Sequence, residues 1–525
     1  MMNTISKCFK NLFFSLLIIS LPFLFAASNK TMPSSSKLRT LYHSLDPTSI
    51  SQLFAFYQLY PESSYGKEAL QKALQLMQKH RKQKQDVHEA MQLPPLDIEA
   101  IIQLTNQPAK STKLILRETQ LDLIESLSNH LANRKLKGHK IWNTEEILRL
   151  DSEEIDLARA IFLYELKDPL LVRQYEASLD LMTLQILARL PEDASPIQKI
   201  KAINHFIFHE MRFRFPPHSL WPKDVDTYTL LPAVMDNRQG VCLGVSILYL
   251  AIAQRLDFPL KIITPPGHIY IAYEEAGQER INIETTARGI NMPSEVYLGI
   301  NTKKLPERKL KEVIGMAFMN EAAIYLQNQN YEKALALYER AYPYLPSDPL
   351  LRMLLGFTYM FTDKKEKGTK LLSEMKGITF DEAVSQETMV EDLLDHKIDV
   401  EGIQTIFLPV SEKRESILEK QEKLRKIIEK HPCFREGLMQ LAVSYLQLSR
   451  TKEALEILKN YEKIDPKCPT VQYYLSIISM NRLDLISAWN HLKAAEELTS
   501  QKKHYPRCLK ELRRALQRQL PEHSI

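Results

Sequence analysis

A 34-residue period in the C-terminal half is the strongest constraint on what this chain can fold into. Counting from residue 315, Phe318, Ala322, Tyr325, Ala334, Tyr338, Ala341 and Pro346 fall on positions 4, 8, 11, 20, 24, 27 and 32 of a unit. Leu355, Gly356, Tyr359 and Gly368 take positions 7, 8, 11 and 20 of the next unit. A third unit carries Ala442, Tyr445, Ala454, Leu458 and Pro466, and a fourth carries Leu475, Ser476, Ala488, Leu492 and Ala495. Pro432 lies 34 residues before Pro466 and marks a degenerate half-unit. Small residues at positions 8, 20 and 27 let paired helices approach, and each unit buries its face only on its neighbour. The chain has 14 glycines in 525 residues, well below the usual ~7%, which agrees with a mostly helical protein.

That spacing resembles the tetratricopeptide repeat, and the resemblance implies a C-terminal α-solenoid with a groove suited to a protein partner. The reading divides the chain into a signal peptide over 1–28, a helical region over 29–153, a central domain over 154–304, repeats 1 and 2 over 305–382, an insert and half-repeat over 383–434, repeats 3 and 4 over 435–502, and a basic C-terminal helix or tail over 503–525. In the N-terminal region apolar residues recur at three and four, as in Leu53, Phe54, Phe56, Tyr57 and Tyr60. The basic interval Lys79–Gln85 reads as a solvated helix face, and Asp381–Asp399 as a loop or an extra helix.

The first segment is an address. Lys7 and Lys10 precede an apolar stretch from Leu12 to Phe25, and Ala26-Ala27-Ser28 supplies small residues for cleavage. An apolar span this short, interrupted by Pro22, falls below the ~20 residues of a spanning helix. The expectation is therefore export to a periplasmic or secreted location. The alternative is an inner-membrane anchor through an uncleaved signal, the one membrane contact expected. A net charge of +5 does not call for nucleic acid.

The chemistry lies between the two helical halves. From Val241 to Leu260 small and apolar residues fit one buried helix, which puts Cys242 in its first turn. Unpaired amides at a helix start favour a thiolate and can also hold an oxyanion. Downstream, His268, Tyr270 and Ala272 alternate with Ile269, Ile271 and Tyr273, and Arg280, Asn282 and Glu284 alternate with Ile281 and Ile283. This reads as a hairpin with one apolar and one polar face. Closing it symmetrically about Ala276 sets His268 directly opposite Glu284, where Cβ atoms stand ~5 Å apart. A nucleophile, a base and an orienting carboxylate are then neighbours.

These residues carry a second resemblance. G-V-C-L-G-V-S-I-L-Y-L-A-I-A-Q-R-L-D-F-P-L, followed by P-P-G-H and I-N-I-E-T-T, is similar to the transglutaminase-like core, and in particular to SirB-type bacterial proteins, which join that core to tetratricopeptide repeats. The likeness begins near Glu154, includes Ile155–Glu165 and Asn204–Phe213, and runs to about Tyr359. It implies a small α+β, papain- or transglutaminase-like central domain with Cys242 as nucleophile, His268 as base and Glu284 as the third member. Many proteins of this type lack the cysteine, whereas this chain has it. Their usual I-D-P-F-x-G-G stretch is here I-E-T-T-A-R-G, with glutamate for aspartate. Glutamate can still accept a hydrogen bond from Nδ1. Gln239, Trp221 and Tyr228 are candidates for a second oxyanion donor or a substrate wall.

The expected function is thiol acyl chemistry on a carboxamide or peptide bond of a protein or peptide substrate, with hydrolysis or cross-linking as the outcome. The alternative is an inert scaffold that binds a protein partner. No cofactor and no metal are expected, because His205 and His209 lack a third ligand. Of the cysteines that follow the signal, Cys433, Cys468 and Cys508 leave room for a disulfide whose pairing stays open, and Cys242 reads as a free thiol.

Overall fold

The long helix Pro169–Arg189 is buried on two sides and separates two layers. One side, through Ala177, Leu181, Leu184 and Ala188, receives the N-terminal helices. The other, through Val172, Tyr175, Leu179 and Ile186, belongs to the main core. The computed structural model describes residues 33–80, 95–112, 114–216, 228–411 and 413–522. The expected signal segment and Trp221 lie outside the described residues. Residues 81–85 of the basic interval read as a solvated face lie outside the described residues as well, and for Lys79 that reading is corrected. Its Nζ donates to the carbonyls of Ala188 (3.1 Å) and Leu190 (2.7 Å), capping the end of the long helix.

The helix Cys242–Arg255 forms the heart of the central domain. It ends in a Schellman turn: Phe258 N–H bonds the Ala253 carbonyl and Asp257 N–H bonds that of Gln254, with Asp257 at φ 49° and Pro259 preventing continuation. Arg255 is 2% exposed and donates to Asp180 Oδ1 at 2.7 Å, so its buried charge is paired.

Four short antiparallel strands lie against this helix: β1 (Lys261–Ile263), β2 (Tyr270–Tyr273), β3 (Ile281–Ile283) and β4 (Glu307–Arg308). Their order is β3-β2-β1-β4. The expected register is corrected by two residues, because Ile271 pairs with Ile283 and Tyr273 with Ile281. The reason is Gly277 at φ +81°. With Gln278 N–H bonded to the Glu275 carbonyl at 3.1 Å, it supplies the positive-φ position of a turn and moves the centre of the hairpin one residue along. The expected contrast of faces is corrected too. Ile269, Ile271 and Ile283 enter the main core, but Tyr270 and Ala272 are also buried, with Ile263, beneath Tyr297 and Leu305.

The fold is mostly helical with this small α+β core and a C-terminal array of helix pairs, as expected. The pairs are Leu310–Gln327 with Tyr331–Ala341, Pro349–Phe361 with Lys365–Ser373, Arg435–Gln447 with Thr451–Ile464, and Pro469–Asn481 with Leu485–Ser500. The interval between the second and third pairs contains Met389–Leu394, Val400–Phe407 and Arg414–Lys430. One hydrophobic cluster unites Leu243, Ile247 and Leu250 of the central helix with Val313, Ala317 and Ala322 of the first repeat helix. The far end of the array returns to the core. His504 Nε2 donates to the Gly299 carbonyl at 3.0 Å, Asn301 Nδ2 to Thr470 Oγ1 at 2.5 Å, and Ile300 packs into the cluster of Trp489, Leu492 and Leu516. Cys242, Cys433, Cys468 and Cys508 are all free thiols, so none of the allowed disulfides forms.

Candidate active site

Cys242 is the first residue of its helix. The first intrahelical bond, from Val245 N–H to the Val241 carbonyl at 3.1 Å, leaves the amides of Cys242, Leu243 and Gly244 ahead of the ladder. Val241 is fixed from outside by its N–H bond to the Tyr228 carbonyl at 2.9 Å. Gly244 is required beneath it, since a Cβ there would stand 2.5 Å from that same carbonyl oxygen.

His268 sits at the end of a turn, its N–H bonded to the Pro265 carbonyl at 3.0 Å, two residues before β2 begins. Its Nε2 lies 2.7 Å from Glu284 Oε2. The two-residue register shift makes them diagonal neighbours and keeps them on one face. The expected use of Nδ1 is thereby corrected: the carboxylate takes Nε2, which leaves Nδ1 as the ring nitrogen free to serve Cys242, whose sulfur is close enough to act on the imidazole.

Glu284 is 4% exposed and its acceptor sites are filled. Oε1 receives Thr286 N–H at 3.1 Å and Thr286 Oγ1 at 2.5 Å, and Oε2 receives the Tyr297 hydroxyl as well as His268. Tyr297 also stacks on the imidazole, with ring centroids 5.5 Å apart and planes at 21°. Ser246 Oγ, one turn along from Cys242, lies 3.0 Å from Thr285 Oγ1 and ties the helix to this segment.

Burial works against the imidazolium, but the hydrogen bonds and charges of Cys242 and Glu284 outweigh it and raise His268 to about 10. Burial also opposes the Glu284 carboxylate, yet bonds from His268, Thr286 and Tyr297 hold it down at about 2. At neutral pH the pair is an imidazolium and a carboxylate.

A cleft of about 440 Å³ opens beside Cys242 and His268. Pro265, Pro266 and Gly267 form one wall, and Met316, Met319, Asn320 and Leu354 from the repeat helices form another. Gln239 and Tyr228 are not among the residues lining it. Gln239 pairs through its backbone with Arg214, and Tyr228 acts on the helix start through its carbonyl. Sequence reasoning missed Tyr297, Thr286 and the repeat wall. The T-T after Glu284 was a usable sign for Thr286, because a carboxylate commonly accepts the amide two residues on.

Among the described residues one group has metal-ligand proximity, His139, Asp156 and Glu176. Its donor atoms are already committed. His139 Nδ1 bonds Asp156 Oδ2 at 2.9 Å and Nε2 bonds Arg134 at 2.7 Å, while Arg159 grips both oxygens of Glu176. His205 and His209 stack with centroids 5.6 Å apart, and His205 faces Glu210 at 3.3 Å.

Among solved structures, MamA (AMB-1) is 19% identical with a TM-score of 0.19, over 36% of this chain and 92% of its own. YrrB, described as a TPR protein with an unusual peptide-binding site, is 14% identical with a TM-score of 0.20, over 38% and 92%. A thermophilic TPR protein in Thermus thermophilus is 16% identical with a TM-score of 0.21, over 39% and 98%. No curated protein matches the chain. Residues 173–314, the span that holds Cys242, His268 and Glu284, match the family model described as Transglutaminase-like superfamily.

Proposed function

We propose that the protein is a thiol acyl-transfer enzyme acting on a carboxamide or peptide bond of a protein or peptide. The observation that carries this reading is that Cys242 and His268 line one cleft, close enough for the sulfur to act on the imidazole, with His268 hydrogen-bonded in turn to Glu284. Cys242 attacks the carbonyl carbon as thiolate, forming a C–S bond, while the first-turn amides receive the oxyanion. His268 protonates the departing nitrogen as the C–N bond breaks. It then takes a proton from the incoming water or amine, whose attack breaks the C–S bond, releases the acyl group and returns the thiolate beside the imidazolium. Glu284 stays ionised throughout and stabilises the imidazolium.

The combination of this core with helix pairs supports the SirB-type grouping implied by the sequence resemblance. The apolar Leu12–Phe25 stretch supports an exported enzyme, which the N-terminal sequence of the mature protein tests. A vinyl-sulfone probe at pH 6 to 7 tests the chemistry. It is expected to label Cys242, with His268→Ala slowing the labelling at least tenfold. Equal labelling of both at the rate of a free thiol removes the enzyme and leaves a partner-binding scaffold.

A further inference from the structure

The helix Leu310–Gln327 carries two apolar stripes, and its neighbours cover one of them fully and the other in part. Val313, Ala317, Ala322 and Leu326 are buried in the main core. Met316, Met319, Asn320 and Ala323 recur at three and four on another face and line the cleft that contains Cys242 and His268. These four are only partly buried. Leu354 of the next helix pair and Phe380 of the interval after it extend the same wall. The segment bearing Phe380 is laced to the core. Lys303 N–H donates to the Asp381 carbonyl at 2.7 Å, and Thr302 Oγ1 donates to that of Ala383 at 2.9 Å.

Of the charged groups lining the cleft, Arg308 and Asp348 are paired with each other, and Glu382 adds a second carboxylate. Besides His268, the only cation among the described lining residues is Arg308. Its guanidinium donates to Asp348 at 2.7 Å, Thr264 at 3.0 Å and Glu312 at 3.3 Å. Asn320 Nδ2 donates to Thr229 Oγ1 at 3.0 Å. An acidic side chain entering the cleft would meet the Glu382 carboxylate and, among the described lining residues, no cation without an ion-pair partner, whereas an apolar one would cover exposed thioether and alkyl surface. A volume of about 440 Å³ falls within the ~300–1,000 Å³ of ligand pockets and suits a peptide segment.

Resting on the acyl-transfer reading, we propose that the first two helix pairs are the specificity wall of the catalytic cleft. They select an acyl donor whose residue at the reacting carbonyl carries an apolar side chain, seated on Met316, Met319 and Leu354. The repeats thereby act on the substrate of the core itself. The test uses the full chain and two acetylated dipeptidyl vinyl sulfones that differ only in carrying leucine or glutamate at the reacting position, with modification read at Cys242 by mass spectrometry. Iodoacetamide serves as the size-independent control. The wild type is expected to favour the leucine probe at least tenfold. Met319→Lys is expected to cut that ratio to threefold or less, and Met319→Leu to retain it, each rate being taken relative to the same variant's iodoacetamide rate. An equal response to the two probes in the wild type, or an undiminished ratio in Met319→Lys, overturns the proposal. Failure of the acyl-transfer reading shows separately, as iodoacetamide labelling that ignores His268→Ala.

Discussion

Replacing Glu284 by glutamine preserves the shape of the support behind His268 and removes its charge. His268 is held at about 10 against an ordinary 6.5, by Cys242 and Glu284 working against burial. A carboxylate at hydrogen-bond distance accounts for about 1–3 pKa units, so Glu284→Gln is expected to bring His268 from about 10 to between about 7 and 9. The assay compares alkylation of Cys242 by anionic iodoacetate and neutral iodoacetamide across pH. The imidazolium attracts the anion, so the ratio of the two rates falls where that proton is lost. In the wild type the fall is expected near pH 10, and in the variant one to three units lower. Site-resolved detection keeps the exposed Cys433 thiol out of the reading. The stability terms carry matching signs. The raised histidine contributes fully below 6.5 and loses its contribution as pH rises through about 10. The depressed glutamate contributes fully above 4.5 and loses its contribution as pH falls through about 2. An unchanged fall near pH 10 in Glu284→Gln would refute the claim that the carboxylate holds the imidazole charged.

Gly244→Ala puts a methyl group 2.5 Å from the Tyr228 carbonyl. It is expected to cost about 1–3 kcal/mol by overpacking, read as a lower urea midpoint, together with slower Cys242 labelling, because the same carbonyl anchors Val241. Arg255→Met leaves Asp180 with fewer partners in a fully buried network. Because Arg134 and Ser128 still hold Asp180 Oδ2, a loss of about 1–3 kcal/mol in chemical denaturation is expected, and wild-type stability would show that the ion pair contributes nothing. Tyr249 is 0% exposed and its hydroxyl has no hydrogen-bond partner. Tyr249→Phe is therefore expected to raise the melting temperature, with a gain of about 1 kcal/mol, and a fall would contradict the unpartnered hydroxyl.

The helix pairs were legible because their packing needs small residues at fixed intervals, and Ala334, Ala341, Ala454 and Ala488 meet that need within single units. The first-turn place of Cys242 was legible for a similar reason: the apolar run beginning at Val241 has one continuous buried length. His268 and Glu284 could be assigned to a common face because period-2 parity survives a two-residue error in register. Their true pairing was hidden by reading Ala276 as the turn centre, when the positive φ of Gly277 sets it. The choice of Nε2 over Nδ1 depends on ring orientation, which no spacing encodes. Tyr297 lies thirteen residues beyond Glu284, and only the tertiary path of the chain brings it back. The second stripe of Leu310–Gln327 was hidden because a repeat pattern specifies the contact between one unit and the next and says nothing of what the first unit faces.

The hydrophobic cluster that runs from Leu243 and Ile247 into Val313 and Ala317 has a thermodynamic corollary. Strands, central helix and opening repeats share apolar surface that none of them could expose without loss, so they should melt in a single calorimetric transition. The opening repeats are thus welded to the half that carries Cys242 and could not be exchanged as a cassette, and any drift in their first helix alters the chamber beside that sulfur.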